Sequence, residues 1–203
     1  MKIICIGRNY RDHAKELNND VPDEPVIFLK PDSSILKPNQ VFFLPDQFKE
    51  VHHEVELLVR ISRNGKHIAE RFAYKYYDEI GLGIDFTARD KQNELKAKGL
   101  PWELAKGFDG SALVSKMISK TAFPSIQDIH FRLLKNGDEV QKGFTGDMLF
   151  SIDKIIAFVS QYYTLKMGDI IYTGTPAGVG PVHKEDVIEG FLEDKKMFSC
   201  KIK

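Results

Sequence analysis

Cysteine is scarce in this chain of 203 residues: there are two, Cys5 near the start and Cys200 near the end. Each lies in an apolar, strand-like run and reads as a core or edge residue. A single bridge joining the terminal strands is the one pairing open to them. An excess of either charge is missing as well, since Lys plus Arg and Asp plus Glu both number 29 and the pI is about 7.0. That balance argues against a dedicated polyanion binder, so no nucleic-acid partner is expected. It also removes a repulsion that would oppose self-association, which favours a homo-oligomer. Long apolar runs are absent too. Ile3 to Ile6 is too short for the core of a secretion signal and is broken by Gly7-Arg8, and no other stretch is long enough to span a bilayer. With little cysteine, no leader and no span, the expectation is a soluble protein of the reducing cytoplasm. There is no repeat, low-complexity tract or linker, and residues 1–203 are expected to form one domain with a core that needs no staples.

What is present begins with His52-His53-Glu54-Val55-Glu56-Leu57-Leu58-Val59. Val51 to Ile61 reads as one strand, in which residues i and i+2 project from the same face. Glu54 and Glu56 then point one way, and Val55, Leu57 and Val59 point to the core. Two like charges so placed in a semi-buried cleft require either a proton on one carboxylate or a cation between them. Asp85, in Gly83-Ile84-Asp85-Phe86-Thr87, supplies a third acid. Three oxygen donors suit Mg²⁺, Mn²⁺ or Ca²⁺ better than zinc, which prefers nitrogen and sulfur. For a Glu-x-Glu pair standing alone, a solvated strand edge without a ligand is the alternative.

Around these acids the pattern predicts a strand over Lys2 to Ile6, then a helix from Tyr10 to Leu17 capped by Asn9. Short strands are predicted at Val26 to Leu29 and Val41 to Leu44, bounded by prolines. Asn64-Gly65 marks a tight turn, and the Phe72, Tyr76 and Ile80 spacing predicts a helix over Arg71 to Glu79. Asp90 to Lys98 is strongly helix-forming, with Gly99 as its stop. Ile129 to Lys135 and Glu139 to Gly143 flank Asn136-Gly137, a strong hairpin pattern. Ser151 caps an amphipathic helix whose stripe is Ile152, Ile155, Ile156, Val159 and Tyr163. Asp169 to Tyr172 reads as a buried strand. Many strands, few helices and mixed connections indicate an α+β fold.

Several stretches also agree, in order, with one family. Gly7-Arg8-Asn9-Tyr10-Arg11-Asp12-His13, Phe28-Leu29-Lys30-Pro31, His53-Glu54-Val55-Glu56-Leu57, Asp85-Phe86-Thr87-Ala88-Arg89-Asp90, Gly99-Leu100-Pro101-Trp102, Ala105-Lys106 and Thr173-Gly174-Thr175-Pro176-Ala177-Gly178-Val179-Gly180 span nearly the whole chain. Together they resemble the fumarylacetoacetate hydrolase family, closest to its small single-domain acylpyruvase and oxaloacetate decarboxylase branch. The resemblance implies a twisted β-roll or sandwich of mixed strands with flanking helices, a metal at Glu54, Glu56 and Asp85, and commonly a homodimer. In similar enzymes an Arg four residues after the ligand Asp, a Gln seven after it and a downstream Lys line the pocket, which selects Arg89, Gln92 and Lys106. Basic residues are needed beside a triad of acids if the substrate is an anion, and Lys30, Arg89 and Lys106 are the candidates.

The resemblance makes His13 the base, with Glu16 one helical turn along to orient the ring, on a helix that orders over the substrate. It also makes Thr175 a donor to the substrate's carboxylate. The fourth acidic ligand of the larger family members is missing, because the matching stretch is Ile4-Cys5-Ile6-Gly7. A proline common after the pocket lysine is missing from Gly107 to Ser115 as well. The leading expectation is Mg²⁺- or Mn²⁺-dependent cleavage of a carbon–carbon bond in an acylpyruvate such as fumarylpyruvate, through a metal-bound enolate. Oxaloacetate decarboxylation or tautomerisation, and isomerisation or decarboxylation of 2-hydroxyhepta-2,4-diene-1,7-dioate, need only the same enolate and are the alternatives. A sugar-acid dehydratase ranks below these, and the non-enzymatic alternative is a metal-dependent dicarboxylate-binding protein.

Overall fold

The computed structural model of the chain describes residues 1–16 and 20–203. The first half runs β1 (Ile3–Gly7), α1 (Arg11–Glu16), β2 (Val26–Lys30), β3 (Ile35–Leu36), β4 (Val51–His53), β5 (Val55–Ile61), β6 (Tyr77–Asp85), β7 (Thr87–Ala88) and α2 (Arg89–Ala97). There follow α3 (Glu103–Lys106), β8 (Ala112–Val114), β9 (Ile118–Ser119), β10 (His130–Lys135), β11 (Asp138–Phe144) and α4 (Ile152–Tyr162). The chain closes with β12 (Ile170–Tyr172), β13 (Gly180–Pro181), β14 (Val187–Leu192) and β15 (Lys195–Lys201).

Eight strands form one mixed sheet in the order β2-β1-β12-β5-β6-β8-β3, with β9 on β6. The pairs β1–β12 and β3–β8 are parallel, whereas β5–β6 is antiparallel. A four-stranded antiparallel sheet, β11-β10-β14-β15, supplies Phe131, Leu133, Ile188 and Phe198 to the same apolar cluster as Leu57, Ile80, Leu82 and Ile84. The core therefore lies between the sheets, and both faces of β5 and β6 are covered, as their continuous apolar runs require. A ribbon of β13, β4 and β7 closes one end. The fold is α+β with curled, mixed-strand sheets and few helices.

Local chemistry explains most elements. Asn136 and Gly137 hold φ of 54° and 93°, the two left-handed residues of a type I′ turn, and so join β10 to β11. Ser151 accepts a hydrogen bond from the Lys154 N–H and starts α4, which buries Ile152, Ile155, Ile156 and Val159. Gly99, at φ 64°, ends α2 in a Schellman arrangement, with Leu100 N donating to Leu95 O and Gly99 N to Lys96 O.

Elsewhere the structure departs from the sequence pattern. Val51 to Ile61 is broken at Glu54: β4 leaves to pair with β13 and β7, while β5 continues in the main sheet. Val41 to Leu44 is no regular strand and forms one parallel bridge, Phe42 to Ile202, ended by Pro45, which has no N–H to continue the ladder. Arg71 to Glu79 is not an α-helix. A 3₁₀ turn occupies Glu70–Lys75 and β6 begins at Tyr77, so Ile80 is buried through strand alternation rather than helical periodicity. A three-residue match to a 3.6 period cannot separate the two over so short a run. Asn64-Gly65 is not the expected tight turn, for Gly65 bridges to Leu165 and Asn64 Oδ1 accepts from Met167 N. Asn9 does not cap α1. Its side chain donates to Phe150 O and Thr173 O and accepts from Phe150 N, which ties the end of β1 to the end of β12. The expected end of α1 at Leu17 lies outside the described residues. Cys5 and Cys200 are both buried and free. No helix among the described residues is long and apolar enough to cross a membrane.

Candidate active site

The antiparallel register of β5 and β6 sets Glu56 opposite Gly83 and Val55 opposite Ile84, and Asp85 N donates to Glu54 O at 2.8 Å. Glu54, Glu56 and Asp85 thereby meet in one buried group, each offering an oxygen within 4.8 Å of the others. Gly83 lets β8 lie close against β6 beside this group, because a Cβ there would lie 2.4 Å from Leu113 O. Three basic side chains answer the three acids. Lys106 Nζ donates to Glu54 Oε2 at 2.7 Å, to Asp85 Oδ2 at 2.7 Å and to Thr87 Oγ1 at 2.6 Å. Arg89 donates to Glu54 Oε1 at 2.5 Å and to Gln92 Oε1 at 2.5 Å. Lys30 Nζ stands 2.5 Å from Asp85 Oδ1 while donating to Phe86 O and Ser111 O. It lies off the hydrogen-bonding direction of Oδ1, which is left without a hydrogen bond. Glu56 Oε2 accepts the Gly174 N–H at 2.6 Å.

These neighbours divide the carboxylates. Burial works to raise the Glu54 carboxyl, but Lys106 and Arg89 outweigh it and hold the group below the usual range. Glu56 goes the other way: burial, then the charges of Asp85 and Glu54, push it well above that range. For Lys106, burial acts to lower the amine and is overcome by Asp85 and Glu54, which raise it.

The donor set fits a hard divalent cation. It is all oxygen, oxygens about 2.0–2.6 Å from one ion lie within about 3–5 Å of each other, and Glu56, repelled by its acidic neighbours, gains from a cation. Glu54, Glu56 and Asp85 could therefore hold Mg²⁺, Mn²⁺ or Ca²⁺.

The cleft above the acids is also lined by His13, Gln92 and Thr175, with Arg8, Lys96, Phe28 and Trp102. His13 Nδ1 lies 3.2 Å from Glu16 Oε2, and Glu16 Oε1 accepts the Gly178 N–H at 3.0 Å. Burial lowers the imidazole, against the pull of Glu54 and Glu16, so His13 is neutral at neutral pH. Lys30 is absent from the lining; its side chain is fully buried behind Asp85. Of the residues expected from sequence, the structure gathers His13, Glu54, Glu56, Asp85, Arg89, Gln92, Lys106 and Thr175 around one cleft, with Glu16 behind His13 and Lys30 beneath Asp85.

Sequence reasoning passed over Gln141, which is 1% exposed. Its Oε1 accepts from Val55 N at 3.0 Å and pairs with His53 Nδ1 at 2.9 Å, while its Nε2 donates to Thr175 Oγ1 at 2.9 Å and Pro176 O at 3.0 Å. One side chain from β11 thus ties the strand break at Glu54 to the Thr175 loop. Its place in a hairpin strand gave no hint of this.

The whole sequence, residues 2–203, matches the family described as fumarylacetoacetate (FAA) hydrolase C-terminal. The chain belongs to the fumarylacetoacetate hydrolase family. Among relatives, the mitochondrial oxaloacetate tautomerase FAHD1 of Mus musculus is 43% identical over 201 residues, covering 99% of this chain and 91% of its own. The oxaloacetate tautomerase YcgM of Escherichia coli (strain K12) is 41% identical, covering 91% and 85%. Among solved structures, fumarylpyruvate hydrolase from Pseudomonas aeruginosa in complex with Mn²⁺ and pyruvate superposes with a TM-score of 0.95 at 28% identity, over 100% of this chain and 89% of that one. Family members are enzymes, and the Mn²⁺ of that relative accords with the all-oxygen triad here.

Proposed function

We propose that the protein is a divalent-metal-dependent enzyme acting on oxaloacetate, interconverting its keto and enol forms by moving a proton at C3. The observation that carries this reading is a buried His13, oriented by Glu16, in the same cleft as the acid triad. A bound Mg²⁺ or Mn²⁺ would polarise the oxygens of the 2-oxo acid and make its C3 protons more acidic. His13 Nδ1 is committed to Glu16, so Nε2 is the atom that takes a proton from C3 toward the enol, or delivers one to C3 toward the keto form, while the C2 oxygen exchanges its proton with water. Glu16 stabilises the imidazolium formed on the way. Lys106 and Arg89 keep the acid triad near neutrality, so an anionic substrate is not driven off. Gln141 Nε2 donates to Thr175 Oγ1, and the hydroxyl's own bond, a long one of 3.5 Å to Pro176 O, would give way to the substrate's carboxylate.

The relatives called oxaloacetate tautomerase are similar over almost the full chain, which supports this reading over the acylpyruvate cleavage expected from sequence.

Cleavage of an acylpyruvate is the second reading, favoured by the relative that binds Mn²⁺ and pyruvate and by the His13–Glu16 pair, which could equally activate water. The test is the rate at which enol oxaloacetate converts to keto, with Mg²⁺, with Mn²⁺ and with EDTA, in the wild type and in His13→Ala. Metal-dependent acceleration lost in the variant supports the tautomerase. Turnover of fumarylpyruvate with no effect on oxaloacetate would replace it with the hydrolase.

A further inference from the structure

The guanidinium of Arg89 only donates, through five N–H groups in one plane. Nε donates to His52 Nδ1 at 3.4 Å, one terminal nitrogen to Gln92 Oε1 at 2.5 Å and the other to Glu54 Oε1 at 2.5 Å. Among the described residues these three bonds leave two N–H without an acceptor, on a side chain that lines the cleft. Behind it, His52 Nε2 lies 2.7 Å from Glu50 Oε1. We propose that His52, backed by Glu50, is a positioning residue: it turns the guanidinium of Arg89, and through it the amide of Gln92, so that both present donors to the oxygens of a 2-oxo acid. The inference rests on the reading of this cleft as a 2-oxo acid site and names what orients its donors.

The polarity of the whole chain of bonds follows from Arg89. Because the guanidinium donates, His52 Nδ1 is the unprotonated nitrogen, which puts the ring proton on Nε2, where Glu50 accepts it. For the same reason Gln92 turns Oε1 to Arg89. Its NH₂, with no acceptor among the described residues, is the end left to the cleft, which Gln92 also lines. The opposite imidazole tautomer would set Nδ1–H against Nε–H, donor against donor, and turn the guanidinium away.

The backbone holds His52 where this bond requires it. β4 pairs on both sides, with His52 opposite Thr87 of β7 and opposite Pro181 of β13. Arg89 follows β7 directly, and its N–H donates to Glu50 O at 2.9 Å, while Asp90 Oδ2 accepts the Lys49 N–H at 3.0 Å. Glu50 therefore grips both ends of the arrangement, the start of α2 through its carbonyl and the imidazole through its carboxylate. The side chains of His52 and Arg89 are 13% and 7% exposed, so little water competes for the bond between them. At 3.4 Å that bond is long, and its worth is directional. A planar fork makes paired hydrogen bonds to an anion in only one rotation about its stem. Glu54, two residues after His52, holds another edge of the same guanidinium, so one short segment sets it at two points.

The experiment measures KM and kcat for oxaloacetate with Mg²⁺ in the wild type, His52→Leu, His52→Asn and Glu50→Leu. It also follows solvent exchange of the Arg89 Nε–H by proton–nitrogen NMR, the signal being assigned by its loss in Arg89→Lys. Leucine keeps bulk in the strand and deletes the acceptor, whereas asparagine carries an oxygen near the place of Nδ1 and restores it. In His52→Leu the KM should rise about three- to tenfold, the worth of one orienting hydrogen bond, with kcat within about twofold of the wild type. His52→Asn should bring KM back, and Glu50→Leu should raise it about twofold by releasing the tautomer. A merely structural role predicts the reverse order, because asparagine is the poorer strand former and would do more damage than leucine. The Nε–H should exchange slowly in the wild type and in His52→Asn, and rapidly in His52→Leu. Unchanged KM in His52→Leu or in Glu50→Leu, an equal rise in His52→Asn, or a loss confined to kcat overturns the proposal. If the wild type leaves oxaloacetate unconverted, the proposed activity fails. Thermal protection by malate with Mg²⁺ then still decides the positioning role: it should weaken in His52→Leu and return in His52→Asn, and equal protection with equal Nε–H exchange in all three proteins removes it.

Discussion

Replacing Gln141 by methionine keeps the length of the side chain and deletes every hydrogen bond it makes. Val55 N, at 3.0 Å, loses its side-chain acceptor in a strand that is buried on both faces, and Thr175 Oγ1 and Pro176 O lose their donor. A buried donor left without a partner costs about 1–3 kcal/mol, and each other lost bond about 0.5–1.5 kcal/mol. His53 escapes part of the loss by changing tautomer. The sum is a destabilisation of about 3–5 kcal/mol, a large share of the 5–15 kcal/mol typical of a folded domain. Urea unfolding should show it as a lower midpoint with unchanged slope. Activity should fall further than folding alone explains, because Glu54 directly follows His53 and Thr175 loses its anchor. A loss below about 1 kcal/mol together with unchanged kcat/KM would refute the reasoning that Gln141 joins the strand break at Glu54 to the Thr175 loop.

Further outcomes follow from the same geometry. His13 is depressed by burial and acts in its neutral form, so kcat/KM should stay level as pH falls to the ordinary imidazole value of about 6.5 and decline only below it. Glu16→Gln removes a charge that raises the imidazole, so the acid limb of the pH–rate profile should move lower still, with reduced kcat. Glu56 is raised by burial and by its acidic neighbours, so its ionisation weakens the metal-free protein as pH climbs above the usual carboxylate range. Glu56→Gln should therefore raise the metal-free melting temperature at pH 7 while abolishing the response to metal. In the wild type, Mg²⁺ or Mn²⁺ at a hundred times its Kd should add about 2.7 kcal/mol, read by scanning fluorimetry as about 5–10 °C for a chain of this size. Gly83→Ala drives a Cβ to 2.4 Å from Leu113 O and 2.8 Å from Leu58 Cδ1, and should cost about 3 kcal/mol or more on denaturant unfolding.

The acid triad was legible because strand alternation fixes which residues share a face, and a break in the strand does not undo it. Glu54 sits in the gap between β4 and β5, yet Asp85 N bonds to its carbonyl and keeps it in register with Glu56. The hairpin at Asn136-Gly137 and the cap at Ser151 were legible because turn and cap chemistry are local. Arg71 to Glu79 was misread because aromatic spacing over one turn fits two periods, and pairing of β6 with β5 decides between them only in three dimensions.

Electrostatic roles were the least legible part, and for a definite reason. A sequence displays charges but not which of them neutralise one another. Lys30, Arg89 and Lys106 were expected to help receive an anionic substrate, and their nitrogens also lie 2.5–2.7 Å from Glu54 or Asp85, where they make these buried acids tolerable. A one-dimensional pattern carries neither the left-handed backbone that holds Arg8 at φ 59° nor the turn of α2 that sets Arg89, Gln92 and Lys96 along the cleft.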